Sequence, residues 1–230
     1  MLRAILFDFN GVIVDDEPLH FGLFQEVLDE CGIALTEEAY YREYVGYDDR
    51  ECFRAVFRAA GRPLDDATLT SLIDDKARRY QAWIFAEGYP IYPGAEDLIR
   101  DVAAIGFQLG VVSGALRAEV EGALAQLEVR RFFTTIVAAD DVTTSKPDPA
   151  GYLRGYDELA AANLTTPPLL PREVLAIEDT PAGLAAATAA DLRTLAVTQT
   201  HKAEQLAVAE HVVPTVADIS VTLLREMFDA

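Results

Sequence analysis

Four short stretches of this chain carry side chains able to do chemistry. The run Ala4-Ile5-Leu6-Phe7-Asp8-Phe9-Asn10-Gly11 drives an apolar strand into a carboxylate, an amide and a glycine before any helical pattern has begun. Ser113-Gly114 closes a second apolar run, Lys146 stands in Ser145-Lys146-Pro147-Asp148-Pro149, and Glu178-Asp179 ends a further run. A carboxylate can act as a nucleophile, a hydroxyl and an ammonium can hold an anion, and an acidic pair can hold a hard cation. Each stretch also has an ordinary reading alone: Asn10-Gly11 and Ser113-Gly114 as turns, Lys146-Pro147 as a solvated loop, Glu178-Asp179 as a helix cap. What joins them is order, since each follows a predicted strand.

The elements that must position them alternate. Phe107 to Ser113, Thr135 to Ala139, Val174 to Glu178 and Thr194 to Thr198 read as strands, and Leu116 to Leu127, Ala150 to Ala161 and Pro181 to Ala190 as helices between them. Such βαβα order predicts an α/β fold, a mostly parallel sheet with helices on both faces, in which ligands sit outside the carboxyl ends of the strands. Asp8 is then expected to point into that crevice, with Asn10 one alternation further on. From about His20 to Gly88 the pattern is helical, with Phe21, Phe24, Val27 and Leu28 at helical spacing, so this segment reads as an insertion. Within it, Glu37-Glu38 and Asp48-Asp49 read as solvated charge.

Composition narrows the partners. The 230 residues are 51% hydrophobic, enough for one large domain or a core domain plus an insert. With 38 acidic and 19 basic residues the formal charge is −19, a field that repels nucleic acid and anionic membranes and obliges any phosphate-bearing ligand to find local cations. Cys31 and Cys52 show no CxxC spacing and no secretory pattern is present, which fits a cytoplasmic setting. No apolar stretch reaches the roughly 18 residues of a membrane helix. The expected partner is a small molecule, with no nucleic acid and no membrane, acting on a monomer.

Taken together, the motifs resemble the haloacid dehalogenase-like superfamily, in its phosphatase and β-phosphoglucomutase-like branch with a helical cap. Its first motif is Asp-x-Asp-Gly, its second a Ser or Thr at a strand end, its third a Lys and its fourth an acidic pair. Here these fall on Asp8 to Gly11, Ser113, Lys146, and Glu178 with Asp179. The stretches Val14-Asp15-Asp16-Glu17-Pro18-Leu19-His20, Tyr92-Pro93-Gly94 and Glu178-Asp179-Thr180-Pro181-Ala182-Gly183 also resemble that branch. The resemblance implies a Rossmann-like catalytic core over residues 1–15 and 89–230, and an α-helical cap over residues 16–88 that closes over the crevice.

For activity it implies Mg2+-dependent phosphoryl transfer, as hydrolysis of a small phosphorylated metabolite. Asp8 would attack phosphorus and become an aspartyl phosphate. Asp8, the backbone carbonyl of Asn10, Asp179 and Glu178, the last directly or through water, would hold the metal. Lys146 would supply positive charge, while Ser113, Gly11 and the backbone amides of Gly114 and Ala115 would contact the phosphoryl group. In the cap, His20, Gly46, Arg50 and Lys76 are the substrate-binding candidates. Arg50 also reads as a surface ion pair beside Asp48, Asp49 and Glu51, and Lys76, after Asp74-Asp75, as a solvated charge.

The departure from the pattern is Asn10, where the branch has a second aspartate acting as general acid and base. An amide donates a hydrogen bond but offers no titratable proton, and acid–base help is worth about 10² to 10⁴ in rate. The readings left open are a slow enzyme for esters with good leaving groups, a sugar-phosphate mutase, an impaired or engineered protein that binds a phosphate ester without efficient turnover, and deamidation of Asn10-Gly11 to aspartate. Dehalogenases use no metal and would leave Glu178-Asp179 unexplained. Phosphonate hydrolases need a cap lysine, for which Lys76 lies too far downstream.

Overall fold

The computed structural model describes residues 1–45, 47–163 and 167–228. The chain forms two compact units, one from Met1–Asp15 together with the chain from Tyr89 onward, the other from Asp16–Gly88. The second unit holds α1 (Glu17–Glu30), α2 (Glu37–Glu43), α3 (Asp49–Ala59) and α4 (Asp66–Glu87). Side chains start three of them: Thr36 accepts from the Ala39 N–H, Asp48 from that of Glu51 and Asp65 from that of Thr68, while Pro18 stands in the first turn of α1. Asp48 is thus a helix cap and not merely solvated charge. The stripe Phe24, Val27 and Leu28 packs with Cys52, Phe53, Val56, Phe57 and Leu69 into a core belonging to this unit alone.

The first unit is built on β1 (Ala4–Phe7), β2 (Gln108–Val112), β3 (Phe133–Val137), β4 (Val174–Glu178), β5 (Arg193–Val197) and β6 (His211–Val213), all parallel in the order β3-β2-β1-β4-β5-β6. Its helices are α5 (Ala95–Ala104), α6 (Arg117–Gln126), α7 (Ala150–Ala162), α8 (Pro181–Ala189) and α9 (Val221–Phe228). This Rossmann-like, doubly wound order reverses direction at β1, which places a crevice at the carboxyl ends of β1 and its neighbours. Every residue of β1 is buried because both sheet faces are covered. Ile5 and Phe7 join the larger apolar cluster, whereas Ala4 and Leu6 join a second one with Val112, Tyr152, Leu159 and Ala176. Period-two alternation therefore assigns Asp8, two beyond Leu6, and Glu178, two beyond Ala176, to the face covered by α7.

The sequence reading placed β2 to β5 and α6 to α8 within two residues at each end but did not find α5, β6 or α9. β6 is only three residues long, too short to show a period. α5 does carry an apolar stripe in Leu98, Ile99 and Val102. Among the described residues no helix is long and apolar enough to cross a membrane.

Candidate active site

Phe7 pairs with Val111 on one side and Ile177 on the other, so the next residues, Asp8, Val112 and Glu178, stand level across the centre of the sheet. The loop leading into α7 delivers Lys146 among them. Its Nζ lies 2.7 Å from Asp8 Oδ1, 2.6 Å from Glu178 Oε1 and 3.1 Å from the Val112 carbonyl, three acceptors for three ammonium protons. Tyr152, in the first turn of α7, donates its hydroxyl to Glu178 Oε1 at 2.6 Å, and its ring centroid is 5.3 Å from Lys146 Nζ. Glu178 Oε2 accepts from the Asp179 N–H at 3.3 Å and the Thr180 hydroxyl at 3.2 Å. Glu178 is therefore hydrogen-bonded through both oxygens by the protein itself. Thr180 also caps α8 by accepting from the Gly183 N–H at 3.0 Å, and a Cβ at Gly183 would fall 2.0 Å from the Glu178 carboxylate. The Glu-Asp-Thr-Pro-x-Gly stretch is thus a helix start shaped around a buried acid.

Ser113 continues the β2 ladder with its N–H on the Val137 carbonyl at 2.9 Å, and its Oγ accepts from the Ala115 N–H at 2.9 Å. The Ala115 amide, expected to contact phosphate, is engaged inside the turn instead. The Ser113 hydroxyl proton and the exposed Gly114 are what this strand end presents. At the first motif, the Phe9 carbonyl accepts from the N–H groups of Val12, Ile13 and Val14 at 3.3, 2.8 and 3.0 Å, closing a tight loop. Gly11 turns at φ +77°, and a Cβ there would fall 1.9 Å from Asp179 Oδ2, so only glycine lets the loop meet the acidic pair. Its N–H donates to the Val14 carbonyl at 2.9 Å. Deamidation of Asn10 requires that nitrogen to attack the Asn10 side chain, so the fold works against it.

Asp8, Glu178 and Asp179 are all buried and offer oxygens within 4.8 Å of one another. Burial and the Glu178 charge push the Asp8 carboxyl up to about 6 against the pull of Lys146. Burial, then Asp8 and Glu178, raises Asp179 well above the usual carboxylate range. Burial alone would depress Lys146, but Asp8 and Glu178 outweigh it and hold the ammonium above the ordinary lysine value. One ammonium thus faces three carboxylates, and the buried Asp179 Oδ1 has no hydrogen-bond partner. An acid-rich pocket with an orphaned carboxylate oxygen fits a hard divalent cation.

In the Asp16–Gly88 unit, Lys76 is buried to 1% exposure, because Leu69, Leu72, Lys76 and Tyr80 fall on one face of α4. Its Nζ is 2.5 Å from Asp49 Oδ1, 2.9 Å from His20 Nδ1 and 4.2 Å from the Phe24 ring centroid. The solvated readings of Lys76 and Asp49 are corrected by this pair. Since the ammonium donates to Nδ1, the His20 proton sits on Nε2, 3.3 Å from Asp16 Oδ2, which also accepts from the Tyr80 hydroxyl at 2.9 Å. Arg50 is exposed and forms no ion pair with a described residue, so the surface-pair reading does not hold either. Gly46 lies outside the described residues. Sequence reading missed Tyr152, Gln199 and Thr200. The last two stand just past β5, where the strand-end rule that found the other motifs also applies.

A crevice of this kind at the switch point of this sheet belongs to a known class: the model of haloacid dehalogenase-like hydrolases matches residues 5–197, and the chain belongs to that family of enzymes. Its members generally use a divalent metal. The chain is similar to the protein CbbY of Cereibacter sphaeroides, 31% identical over 201 residues that cover 84% of this chain and 83% of that one. It is also similar to the validoxylamine A 7'-phosphate phosphatase of Streptomyces hygroscopicus subsp. limoneus, 29% identical over 211 residues covering 91% and 92%. Among solved structures, an Asp-to-Asn mutant of CbbY from Rhodobacter sphaeroides in complex with xylulose-(1,5)bisphosphate matches with a TM-score of 0.80 at 26% identity, over 96% of this chain and 97% of that one.

Proposed function

We propose that this chain catalyses Mg2+-dependent phosphoryl transfer, hydrolysing a small phosphorylated metabolite of the sugar-phosphate class through an aspartyl phosphate on Asp8. The observation that carries the reading is the buried trio of Asp8, Glu178 and Asp179 with a single compensating Lys146 and the orphaned Asp179 Oδ1. Asp8, Asp179 and the Asn10 backbone carbonyl would hold the Mg2+, with Glu178 bonded behind them. When bound, Mg2+ offsets the repulsion between carboxylate and phosphate and orients the phosphoryl group.

In the first half-reaction a carboxylate oxygen of Asp8 bonds to phosphorus while the bond to the ester oxygen breaks, and that oxygen leaves as an alkoxide which takes its proton from solvent water. In the second, water attacks phosphorus and gives a proton up to solvent, the bond to Asp8 breaks, and inorganic phosphate leaves with the carboxylate restored. Lys146 holds Asp8 in place and balances charge, and the Ser113 hydroxyl proton and Gly114 N–H face the phosphoryl oxygens. Asn10 donates a hydrogen bond but moves no proton, so neither the leaving alcohol nor the attacking water is served from that position. Residues 16–88 act as the cap that chooses substrate through His20 and Arg50. The Lys76 charge is already matched by Asp49, so of the two candidate cations Arg50 is the one offered to a distal anion. The relatives' names support a phosphorylated sugar-like substrate.

Asn10 favours a second reading, tight phosphate-ester binding with little turnover. A panel of sugar, aryl and acyl phosphates with Mg2+ distinguishes them, with phosphate release and the mass of an acid-quenched Asp8 peptide as readouts. The enzyme reading expects metal-dependent release and a phosphorylated Asp8 peptide, both lost in Asp8→Ala. Release from no ester, in the native chain and in Asn10→Asp alike, would overturn it.

A further inference from the structure

The fifth strand end joins the same crevice. Beyond β5 the chain continues as Thr198-Gln199-Thr200, and the Gln199 side chain bridges two distant backbone groups. Its Nε2 donates to the Gly11 carbonyl at 2.8 Å, and its Oε1 accepts from the Val216 N–H at 2.7 Å. The partners fix the amide's orientation, since a carbonyl only accepts and an N–H only donates. Gly11 is therefore tied at both ends, by Val14 through its N–H and by Gln199 through its carbonyl. The next residue, Thr200, borders the acidic pair: a Cβ built on Gly11 would meet Thr200 Oγ1 at 2.8 Å and Asp179 Oδ2 at 1.9 Å. Thr200 Oγ1 and Asp179 Oδ2 thus flank the same point beside Gly11.

We infer that Gln199 and Thr200 form a positioning clamp for the cation site, Gln199 holding the Gly11 carbonyl and through it the loop that carries the neighbouring Asn10 carbonyl, and Thr200 standing beside the Asp179 carboxylate. The clamp rests on the cation site proposed above. Neither residue touches the reacting atoms. Each sets the distance and direction of a ligand that does, and outer partners of metal ligands typically change affinity by about 10- to 100-fold when lost.

The test is calorimetric titration of Mg2+ alone into metal-free native protein, Gln199→Met and Thr200→Val, with urea unfolding in EDTA run beside it. Gln199→Met keeps the side-chain length and removes both hydrogen bonds, and Thr200→Val keeps the shape and removes the hydroxyl. The expected result is Mg2+ binding weakened about 10- to 100-fold in Gln199→Met and in the same direction in Thr200→Val, with cooperative unfolding retained. Binding within twofold of the native chain in both variants, whatever their stability, overturns the clamp while leaving the cation site standing. Absence of Mg2+ binding by the native chain overturns the cation site itself, and the clamp with it. Should Gln199→Met fail to fold, Thr200→Val is read by the same criterion.

Discussion

Replacing Asn10 by aspartate isolates the step this site is least equipped to perform. The substitution is close to isosteric, and the backbone at this point is held independently of the side chain, with the Gly11 N–H on Val14 at 2.9 Å and its carbonyl on Gln199 at 2.8 Å. The introduced carboxyl would stand two residues beyond Asp8, whose own carboxyl is pushed up to about 6 by burial and the Glu178 charge. A carboxyl at this position can give a proton to a leaving oxygen and take one from water, which an amide cannot. Such help is worth about 10² to 10⁴, or about 3 to 5 kcal/mol of barrier at 1.36 kcal/mol per tenfold. The gain must depend on the leaving group, because a sugar alkoxide needs a proton whereas a carboxylate or nitrophenolate departs without one. With Mg2+ present, Asn10→Asp is expected to raise kcat/KM by about 10² to 10⁴ on sugar phosphates and by less than about tenfold on acetyl phosphate or p-nitrophenyl phosphate. Phosphate release across a series of esters gives the slope of log rate against leaving-group pKa, steep in the native chain and shallower in the variant. An equal factor across the series, or no gain on sugar phosphates, would refute an acid–base deficit at this position.

Three further outcomes follow from the same geometry. Lys146→Met leaves Asp8 and Glu178 buried without their cation, and is expected to cost about 3 to 5 kcal/mol in urea unfolding with EDTA, part of it recovered with Mg2+. Asp8 has its folded pKa raised from 3.8 to about 6, so its contribution to metal-free stability is full below 3.8 and is lost as pH rises through about 6, a change of roughly (6 − 3.8) × 1.36, or about 3 kcal/mol. Melting curves in EDTA and in Mg2+ should therefore show a larger stabilisation by Mg2+ at pH 7.5 than at pH 5, and an equal shift at both would count against the pocket. Lys76→Met strands Asp49, which keeps some contact with water, so a loss of about 3 kcal/mol is expected, read as faster amide exchange along α4.

The sequence made the strand ends of the candidate site legible because each pairs an apolar run with a polar residue at its carboxyl end. Burial on both faces fixes the run, and a parallel sheet fixes which end matters. It was less informative where a side chain's role depends on a partner far along the chain. Lys76 follows two aspartates, and local charge argued for solvent, yet its place on the Leu69, Leu72 and Tyr80 face buries it against Asp49 and His20. Ala115 looked like a free donor until the turn at Ser113 closed on it. Tyr152 carried a weak signal as a phenol in the first turn of a helix packed on the sheet. Its partner Glu178 is 26 residues away, and no local pattern names it.

The sheet register also bears on how the chain acquires its site. β1 lies at the centre of the sheet, yet Leu6 must find Gly110 on one side and Ala176 on the other, and the Gly11 carbonyl must find Gln199 across 188 residues. Parallel pairings of such span have a high contact order, so loop-closure entropy must be overcome before they are rewarded. Until those pairings form, Asp8 is an ordinary solvated carboxylate. Its raised pKa and its lysine partner arrive only when the β4 and α7 segments dock, and the Gln199 bridge only after β5. Cation binding at the proposed site would then require these pairings, and a refolding chain is expected to gain its metal response late.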